Sequence, residues 1–167
     1  RSVESAGGYT DEADLAEKTV RALSRAKAMA VFRMCESGAP GECNATGEDH
    51  AAGDEGLLVI GADTVVALSN EILGKPKNRD DAVRMLRAQS AEPQQVFTGV
   101  TLVHRPAGGD AVIRTFTEKT VVFFYPLGPE QEARIQAYCD TKEPYDKAGA
   151  YGIQGMGRSL VEHYEGD

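Results

Sequence analysis

The stretch Leu57-Leu-Val-Ile-Gly-Ala-Asp-Thr-Val-Val-Ala-Leu68 is a nearly continuous apolar run with one carboxylate, Asp63, near its middle. A run of this kind is typical of a buried strand in an α/β protein, where both faces of the sheet are covered. An ionised carboxylate left unpaired on such a strand would cost several kcal/mol. Asp63 therefore needs a cation, a metal ion or a water-filled cleft beside it.

Two interpretations of Asp63 remain open from this stretch alone. In one, the carboxylate caps a neighbouring turn or accepts backbone N–H bonds. In the other it belongs to a functional site, and the next segment favours this. There Lys75 follows Gly74, which permits unusual backbone angles, and precedes Pro76, which fixes the exit of the turn. A carboxylate and an ammonium group on rigid backbone suit a metal ion and an anionic ligand.

Helical and strand patterns alternate on both sides of this run. Thr10 and the acidic residues after it predict a helix from about Asp11 to Phe32. The pattern alone favours a solvated charge for Lys27, near the end of that helix. Further patterns predict helices over 78–89 and 129–140, and strands over 95–104, 111–125 and 159–164. This alternation predicts the α/β class.

Two loops differ from the rest of the chain. Residues 37–56 are rich in Gly, Ala and acidic side chains without apolar periodicity, so we predict a flexible surface loop. The sequence Glu143-Pro-Tyr-Asp-Lys-Ala-Gly-Ala-Tyr-Gly-Ile-Gln-Gly155 combines closely spaced glycines with Asp146, Lys147 and Gln154. This density suits a loop that wraps a ligand with its backbone, although an ordinary Gly-rich connection remains an alternative. The spacing matches neither a Walker loop nor a dinucleotide fingerprint.

The composition is that of one globular domain, with 167 residues, of which 41% are apolar and 26% charged. No run is long enough to cross a bilayer and no signal-peptide pattern opens the chain, so we expect no membrane contact and a cytoplasmic location. The net charge of −8 argues against binding long nucleic acid. It is compatible with a single nucleotide, which a few lysines and a divalent metal can hold.

Several blocks of the sequence together resemble the Maf family, the septum-formation-inhibitor relatives of the inosine triphosphate pyrophosphatases. They occur in the family's order and cover about two-thirds of the chain. The blocks are Gly61-Ala-Asp-Thr-Val-Val66, Ile72-Leu-Gly-Lys-Pro76, Ala82-Val-Arg-Met-Leu86, Val96-Phe-Thr-Gly-Val100 and the glycine-rich stretch 143–155. The resemblance implies one domain over residues 1–167, with a long, mixed, curved sheet flanked by helices and two lobes around a cleft.

The resemblance also implies an activity. Maf proteins are nucleoside triphosphate pyrophosphatases that cleave between the α- and β-phosphates with a divalent metal, Mg²⁺ or Mn²⁺. The block Asp146-Lys-Ala-Gly-Ala-Tyr-Gly-Ile-Gln-Gly155 looks like the branch that acts on dTTP, UTP and modified pyrimidine triphosphates. Two alternatives stay open: hydrolysis of 7-methyl-GTP, and a non-catalytic nucleotide-sensing module that regulates cell division. Family members are often dimers, so a homodimer is an expectation.

Individual residues take expected roles from the same resemblance. Asp63 matches the catalytic aspartate, and its role as proton acceptor or metal ligand stays open. Glu4 is a second acidic candidate for the metal. Thr64 and Gln154 fall on positions associated with substrate choice. The lysines expected to face phosphate charge are Lys27, Lys75 and Lys147, so the resemblance reverses the interpretation of Lys27 as a solvated charge.

Two family segments have no counterpart in this sequence. The opening strand with its Ser-x-Ser-Pro-Arg-Arg phosphate loop does not occur before Arg1, and the closing Val-Val-Gly-Leu-Pro segment does not follow Asp167. We therefore expect either a truncated domain or the ordered part of a longer protein. The missing arginine loop favours the non-catalytic alternative, whereas the presence of Asp63, Lys75 and Gln154 favours the enzyme.

Overall fold

The computed structural model describes residues 9–37, 56–69 and 71–166, with side chains from residue 13 onward. Glu4 and residues 38–55, which make up almost all of the expected flexible loop, lie outside this range. The described residues form two compact units. Of the described residues, the first unit draws on those within 9–17, 64–98 and 118–166, and the second on those within 18–37, 56–63 and 99–117.

A five-stranded sheet and three α-helices make up the described fold, which confirms the α/β prediction. The helices are α1 (Tyr9–Glu36), α2 (Arg79–Gln89) and α3 (Pro129–Cys139), and the strands are β1 (Leu57–Leu68), β2 (Glu71–Leu73), β3 (Gln94–Arg105), β4 (Val112–Phe124) and β5 (Val161–Glu165). The strand order is β2-β1-β3-β4-β5, and the β1–β2 and β4–β5 pairs are antiparallel. None of the described helices is both long and apolar enough to cross a bilayer.

Close contact between α1 and the sheet organises the second unit. Ala28, Phe32, Val59 and Val103 form its buried core. Gly61 permits the close approach, because a Cβ atom at that position would lie 2.5 Å from the backbone oxygen of Ser24 and 2.6 Å from the nitrogen of Ala28. No real Cβ atom tolerates such distances to backbone, so Gly61 fixes how near α1 lies to β1.

Helices α2 and α3 cover the sheet in the first unit. Asn78 caps α2 as the sequence predicts, since its Oδ1 accepts a hydrogen bond from the Asp81 N–H at 2.9 Å. Arg87 of α2 pairs with Glu132 of α3, and this hydrogen-bonded ion pair lowers the pKa of Glu132 to about 2. The buried core between these elements includes Leu86, Ile135, Val66, Val122 and Leu160.

Most predicted boundaries agree with the structure to within a few residues, and α1 is the main exception. The prediction ended this helix at Phe32, whereas α1 continues to Glu36. Arg33 lies in its last turn, where a cation complements the helix dipole, and the N–H of Ser37 still bonds to the Arg33 carbonyl at 3.0 Å. The predicted end was taken from the apolar stripe, which stops before the helix does. The helix continues because the sequence contains no helix-breaking residue before Gly38.

Substitution of Gly61 by alanine should destabilise the protein by about 1–3 kcal/mol, because the new methyl group would force α1 away from β1. Urea denaturation of the full-length protein measures the change. Gly74→Ala is the matched control, since its Cβ would meet nothing within 4 Å. Equal stability of the two variants would contradict the close packing of α1 on β1.

Candidate active site

A cavity of about 640 Å³ lies within the first unit, between the sheet and the segment that runs from residue 147 to residue 158. The sheet contributes Thr64, Thr98, Thr120 and Tyr164, which carry hydroxyl groups, together with Val66, Val96 and Val122. The segment contributes Lys147, Ala148, Tyr151, Ile153, Gln154 and Arg158. We call this the threonine cavity. Its size is in the range typical of small-molecule sites.

The floor of the threonine cavity follows from the period of two along a strand. Each of the three neighbouring strands β1, β3 and β4 carries one threonine and one valine that are two residues apart. In β1 and β4 the threonine comes first, as Thr64 before Val66 and Thr120 before Val122. In the middle strand, β3, the valine comes first, as Val96 before Thr98. The hydroxyl oxygens of Thr64 and Thr98 lie 3.0 Å apart in hydrogen-bonding contact. A row of hydroxyls therefore lies beside a row of valines, giving one polar and one apolar half.

The opposite wall is held in place by backbone contacts around Gly149. Its N–H donates to the carbonyl of Gly74 at 3.0 Å, and its carbonyl accepts a hydrogen bond from the buried amide of Gln89 at 2.7 Å. Gly149 has a φ of +68°, in the left-handed region, and a Cβ there would lie 3.1 Å from Val66. Glycine is thus required both by the backbone angle and by the close contact with the floor.

Lys147 and Gln154, which the sequence singles out, both line the threonine cavity. The ammonium of Lys147 donates to Asp146 at 2.8 Å, and this hydrogen bond raises the pKa of Lys147. A smaller pocket of about 460 Å³ shares Lys147 and Gln154 with the threonine cavity and is also lined by Glu143. The structure thus brings Thr64, Lys147 and Gln154 together on one cavity.

Lys75 has a different place. It follows Gly74, whose carbonyl holds Gly149, but it is not among the residues that line either pocket. Its charge acts on Asp146, where it adds to the effect of Lys147 in lowering the pKa of that carboxyl group. Lys75 therefore acts on the carboxylate that pairs with Lys147, without lining the cavity itself.

Asp63 and Lys27 form an ion pair within the second unit. The Asp63 Oδ1 accepts a hydrogen bond from the Lys27 ammonium, which also donates to the Ala62 carbonyl at 3.4 Å. The Asp63 side chain is 18% exposed and the Lys27 side chain 57%. The carboxylate on the apolar strand thus has a cation partner that remains open to solvent. Asp63 directly precedes Thr64 in β1.

The described residues do not show a preformed metal centre. Among them, no group of three or more His, Cys, Asp or Glu side chains is arranged to hold a metal ion. Glu4, the second acidic candidate, lies outside the described range. Metal binding through Asp63 and Glu4 therefore stays a prediction.

The cavity residues that sequence reasoning missed include four with polar side chains: Thr98, Thr120, Tyr164 and Arg158. The Thr/Val alternation of three strands was a usable signal, but it becomes meaningful only once these strands are known to be neighbours. Arg158 lies in a 3₁₀ turn, Met156–Leu160, and its guanidinium donates to the Val161 carbonyl. That contact leaves further N–H donors of the guanidinium for a ligand.

Comparison of the sequence with known protein families identifies the family of this chain. The family model described as "Maf-like protein" matches residues 3–167, nearly the whole chain. The chain belongs to the Maf family. The sequence blocks that carry this membership include Thr64, Lys147 and Gln154, which line the threonine cavity.

Maf relatives with a named activity are similar over much of this chain. A dTTP/UTP pyrophosphatase of Anaeromyxobacter sp. (strain Fw109-5) is 50% identical over 112 residues, which cover 67% of this chain and 53% of the relative. Another, of Carboxydothermus hydrogenoformans, is 46% identical over 109 residues, covering 65% and 55%. A third, of Bacillus cytotoxicus, is 39% identical over 164 residues, covering 98% and 70%. The matches to the first two thus span about half of the relatives' length.

The ion pair should matter little for stability. The cost of several kcal/mol applies to a carboxylate that water cannot reach, whereas the Asp63 side chain is 18% exposed. We therefore expect Asp63→Asn and Lys27→Met each to change the free energy of unfolding by no more than about 1 kcal/mol. Urea denaturation of the two variants and the wild type measures this. A loss of about 3 kcal/mol or more in either variant would assign the pair to the fold rather than to a site.

Proposed function

We propose that this Maf protein is a nucleoside triphosphate pyrophosphatase that hydrolyses dTTP and UTP to the monophosphate and pyrophosphate. One observation carries the proposal: the two positions that the family associates with substrate choice, Thr64 and Gln154, line one cavity that is also lined by Lys147. The relatives named dTTP/UTP pyrophosphatase support the choice of substrate.

The two halves of the threonine cavity suit a nucleoside. The valine row and Tyr151 offer an apolar surface for the base and sugar, and the hydroxyls of Thr64 and Thr98 and the amide of Gln154 offer hydrogen bonds to a base edge. A pocket that must satisfy buried hydrogen-bonding groups discriminates well, because the wrong base leaves such a group unpaired. This argument applies to pyrimidine and purine bases alike. The choice of pyrimidine substrates in the proposal therefore rests on the relatives named dTTP/UTP pyrophosphatase.

Positive charge near the cavity suits the triphosphate. Lys147 and Arg158 line the cavity, and the guanidinium of Arg158 can present two parallel N–H groups to a phosphate. Lys75 adds positive charge near Asp146, the partner of Lys147. In the proposal these cations offset the charge of the three phosphates, a role that the family resemblance also gives to Lys27.

The reaction is attack by water on the α-phosphorus. The bond between this phosphorus and the oxygen that bridges to the β-phosphate breaks, and pyrophosphate leaves with that oxygen. A phosphoryl-type transfer needs mainly positioning and charge stabilisation from the protein. We propose that Asp63 takes the proton of the water or binds the metal. Both roles need a carboxylate that water can reach, and the Asp63 side chain is 18% exposed.

A divalent cation, Mg²⁺ or Mn²⁺, is part of the proposal. Mg²⁺ in nucleotide enzymes is held by one or two carboxylates, several waters and the phosphates of the substrate, so a cluster of three protein ligands is not required. Asp63, partly open to solvent, fits the part of that single carboxylate, and Glu4 is the second candidate. The cation would supply charge neutralisation on the triphosphate.

A homodimer and a cytoplasmic location are the remaining proposals. The dimer rests on the family resemblance. The location follows from the proposed substrates, because nucleoside triphosphates are used inside the cell.

The direct test is pyrophosphate release from a panel of nucleoside triphosphates by the full-length protein. We expect dTTP and UTP to give the highest kcat/KM, above CTP, the purine triphosphates and 7-methyl-GTP. Asp63→Asn should lower kcat at least roughly 100-fold, because the amide can neither accept the proton nor bind the metal well. The exposed Asp110→Asn serves as the control and should keep wild-type activity.

Near-normal turnover by Asp63→Asn would reject its catalytic role. Tight nucleotide binding by the wild type without pyrophosphate release would favour the sensing module. A preference for 7-methyl-GTP would place the protein in the other branch of the family.

Removal of divalent cations should also silence the enzyme. We expect treatment with a chelator to abolish pyrophosphate release and either Mg²⁺ or Mn²⁺ to restore it, because the triphosphate charge is otherwise only partly offset. The measurement is the rate at saturating UTP before and after the metal is added back. Full activity in excess chelator would contradict a metal-assisted step.

A further inference from the structure

The carboxylate of Glu143 lies at the centre of the turn that carries Gln154. Its Oε1 accepts hydrogen bonds from the hydroxyl of Tyr138 at 3.1 Å and from the N–H of Gly157 at 3.3 Å. Its Oε2 accepts from the N–H of Met156 at 3.0 Å. One side chain therefore binds the backbone immediately after Gln154.

Tyr138 extends this contact to the backbone before Gln154. Its hydroxyl accepts a hydrogen bond from the N–H of Gly152 at 3.2 Å while it donates to Glu143. The turn is also closed on itself, since the N–H of Gly155 donates to the Gly152 carbonyl at 3.1 Å. Gln154 is thus held on both sides by one carboxylate and one buried phenol.

The carboxylate also packs directly against the turn. A Cβ atom at Gly155 would lie 2.3 Å from the Glu143 Oε1, and one at Gly152 would lie 3.2 Å from the same oxygen. Any side chain at position 155 would therefore have to displace the carboxylate. The carboxylate of Glu143 can therefore contact the turn only because residue 155 is a glycine.

We propose that Glu143 is a positioning residue for substrate selection, whose carboxylate fixes the turn 152–157 and so determines where the Gln154 amide meets the base. Glu143 lines the smaller pocket and is not among the residues of the threonine cavity, so it acts through Gln154 rather than on the substrate. This inference rests on the proposed function, because it assigns the cavity to a nucleotide.

The charge of Glu143 matters for this role. Burial favours the neutral form, but the hydrogen bonds from Met156, Gly157 and Tyr138 and the charge of Lys147 outweigh it and lower the pKa of Glu143. The group is therefore ionised at neutral pH, and its contribution to stability is lost only as the pH falls below the ordinary carboxyl pKa. An ionised carboxylate is acceptor-only, which matches three donors. A glutamine would turn an N–H₂ donor toward one of them.

The test compares Glu143→Gln, Gly155→Ala and Gln154→Ala in the full-length protein. The first variant weakens the anchor, and the second pushes the carboxylate aside without removing its charge. For both we expect KM for UTP to rise roughly tenfold with kcat within about threefold of wild type. The ratio of kcat/KM for UTP to that for GTP should fall roughly tenfold, as in Gln154→Ala. Glu130→Gln, an exposed carboxylate outside the turn, is the control and should leave all values unchanged.

A double-mutant cycle separates positioning from a merely structural role. If Glu143 acts through Gln154, Glu143→Gln should lower the UTP-to-GTP ratio little further when Gln154 is already alanine. Amide hydrogen exchange should show faster exchange in residues 152–157 of Glu143→Gln and unchanged exchange in α2. If Glu143→Gln fails to fold, Gly155→Ala and Tyr138→Phe report on the same contacts.

The outcomes are distinct. An active wild type whose ratio is unchanged in Glu143→Gln and Gly155→Ala, or whose losses add to those of Gln154→Ala, would overturn the inference alone. Unchanged exchange in residues 152–157 would also overturn it. A wild type that hydrolyses no pyrimidine triphosphate would overturn the proposed function and this inference together, and would be seen before any variant is made.

Discussion

The ion pair between Lys27 and Asp63 answers the problem that a carboxylate poses in an apolar strand. A lysine on a helix reaches a strand carboxylate only where the two elements lie close, and here the approach is allowed by Gly61, whose missing Cβ leaves room for the α1 backbone at Ala28. The pair and the glycine are therefore coupled. A bulkier residue at position 61 would move the cation as well as the helix, so packing and electrostatics on β1 depend on the same contact.

Thr64 follows Asp63 directly, and from this residue onward β1 belongs to the first unit. Beyond this point β1 forms part of the floor of the threonine cavity. That floor depends on how β1, β3 and β4 are aligned with one another rather than on any single residue. The row of threonine hydroxyls and the row of valines form only if two conditions hold. Each of β1, β3 and β4 must carry its threonine and valine two residues apart, and in the middle strand, β3, the valine must come before the threonine. A slip of one residue would replace both rows by the side chains of the other face. The cavity therefore depends on the pairing of the whole sheet.

These constraints explain what the sequence could and could not predict. The strand 57–68 and the start of α2 after Asn78 were predicted correctly, because apolar runs and capping side chains are local signals. The pattern left Lys27 as a solvated charge, because its partner lies 36 residues further along the chain. The cavity residues Thr98 and Arg158 were missed for the same reason. Family resemblance supplied Gln154, but the carboxylate that holds its turn could be found only from the fold.

A negative charge close to the proposed phosphate site is unfavourable, and the hydrogen bonds of Glu143 indicate why the chain carries it. The turn around Gln154 presents N–H groups and a phenol, all of which need acceptors, and an ionised carboxylate is the side chain that offers acceptors only. Its lone pairs are directed at these donors, and the positive charge of Lys147 offsets part of its negative charge. Glu143 thus fixes the turn while nearby hydrogen-bond donors and Lys147 compensate its negative charge. In the proposed function, Lys147 would thus both face the phosphates and screen Glu143, which anchors the turn of Gln154.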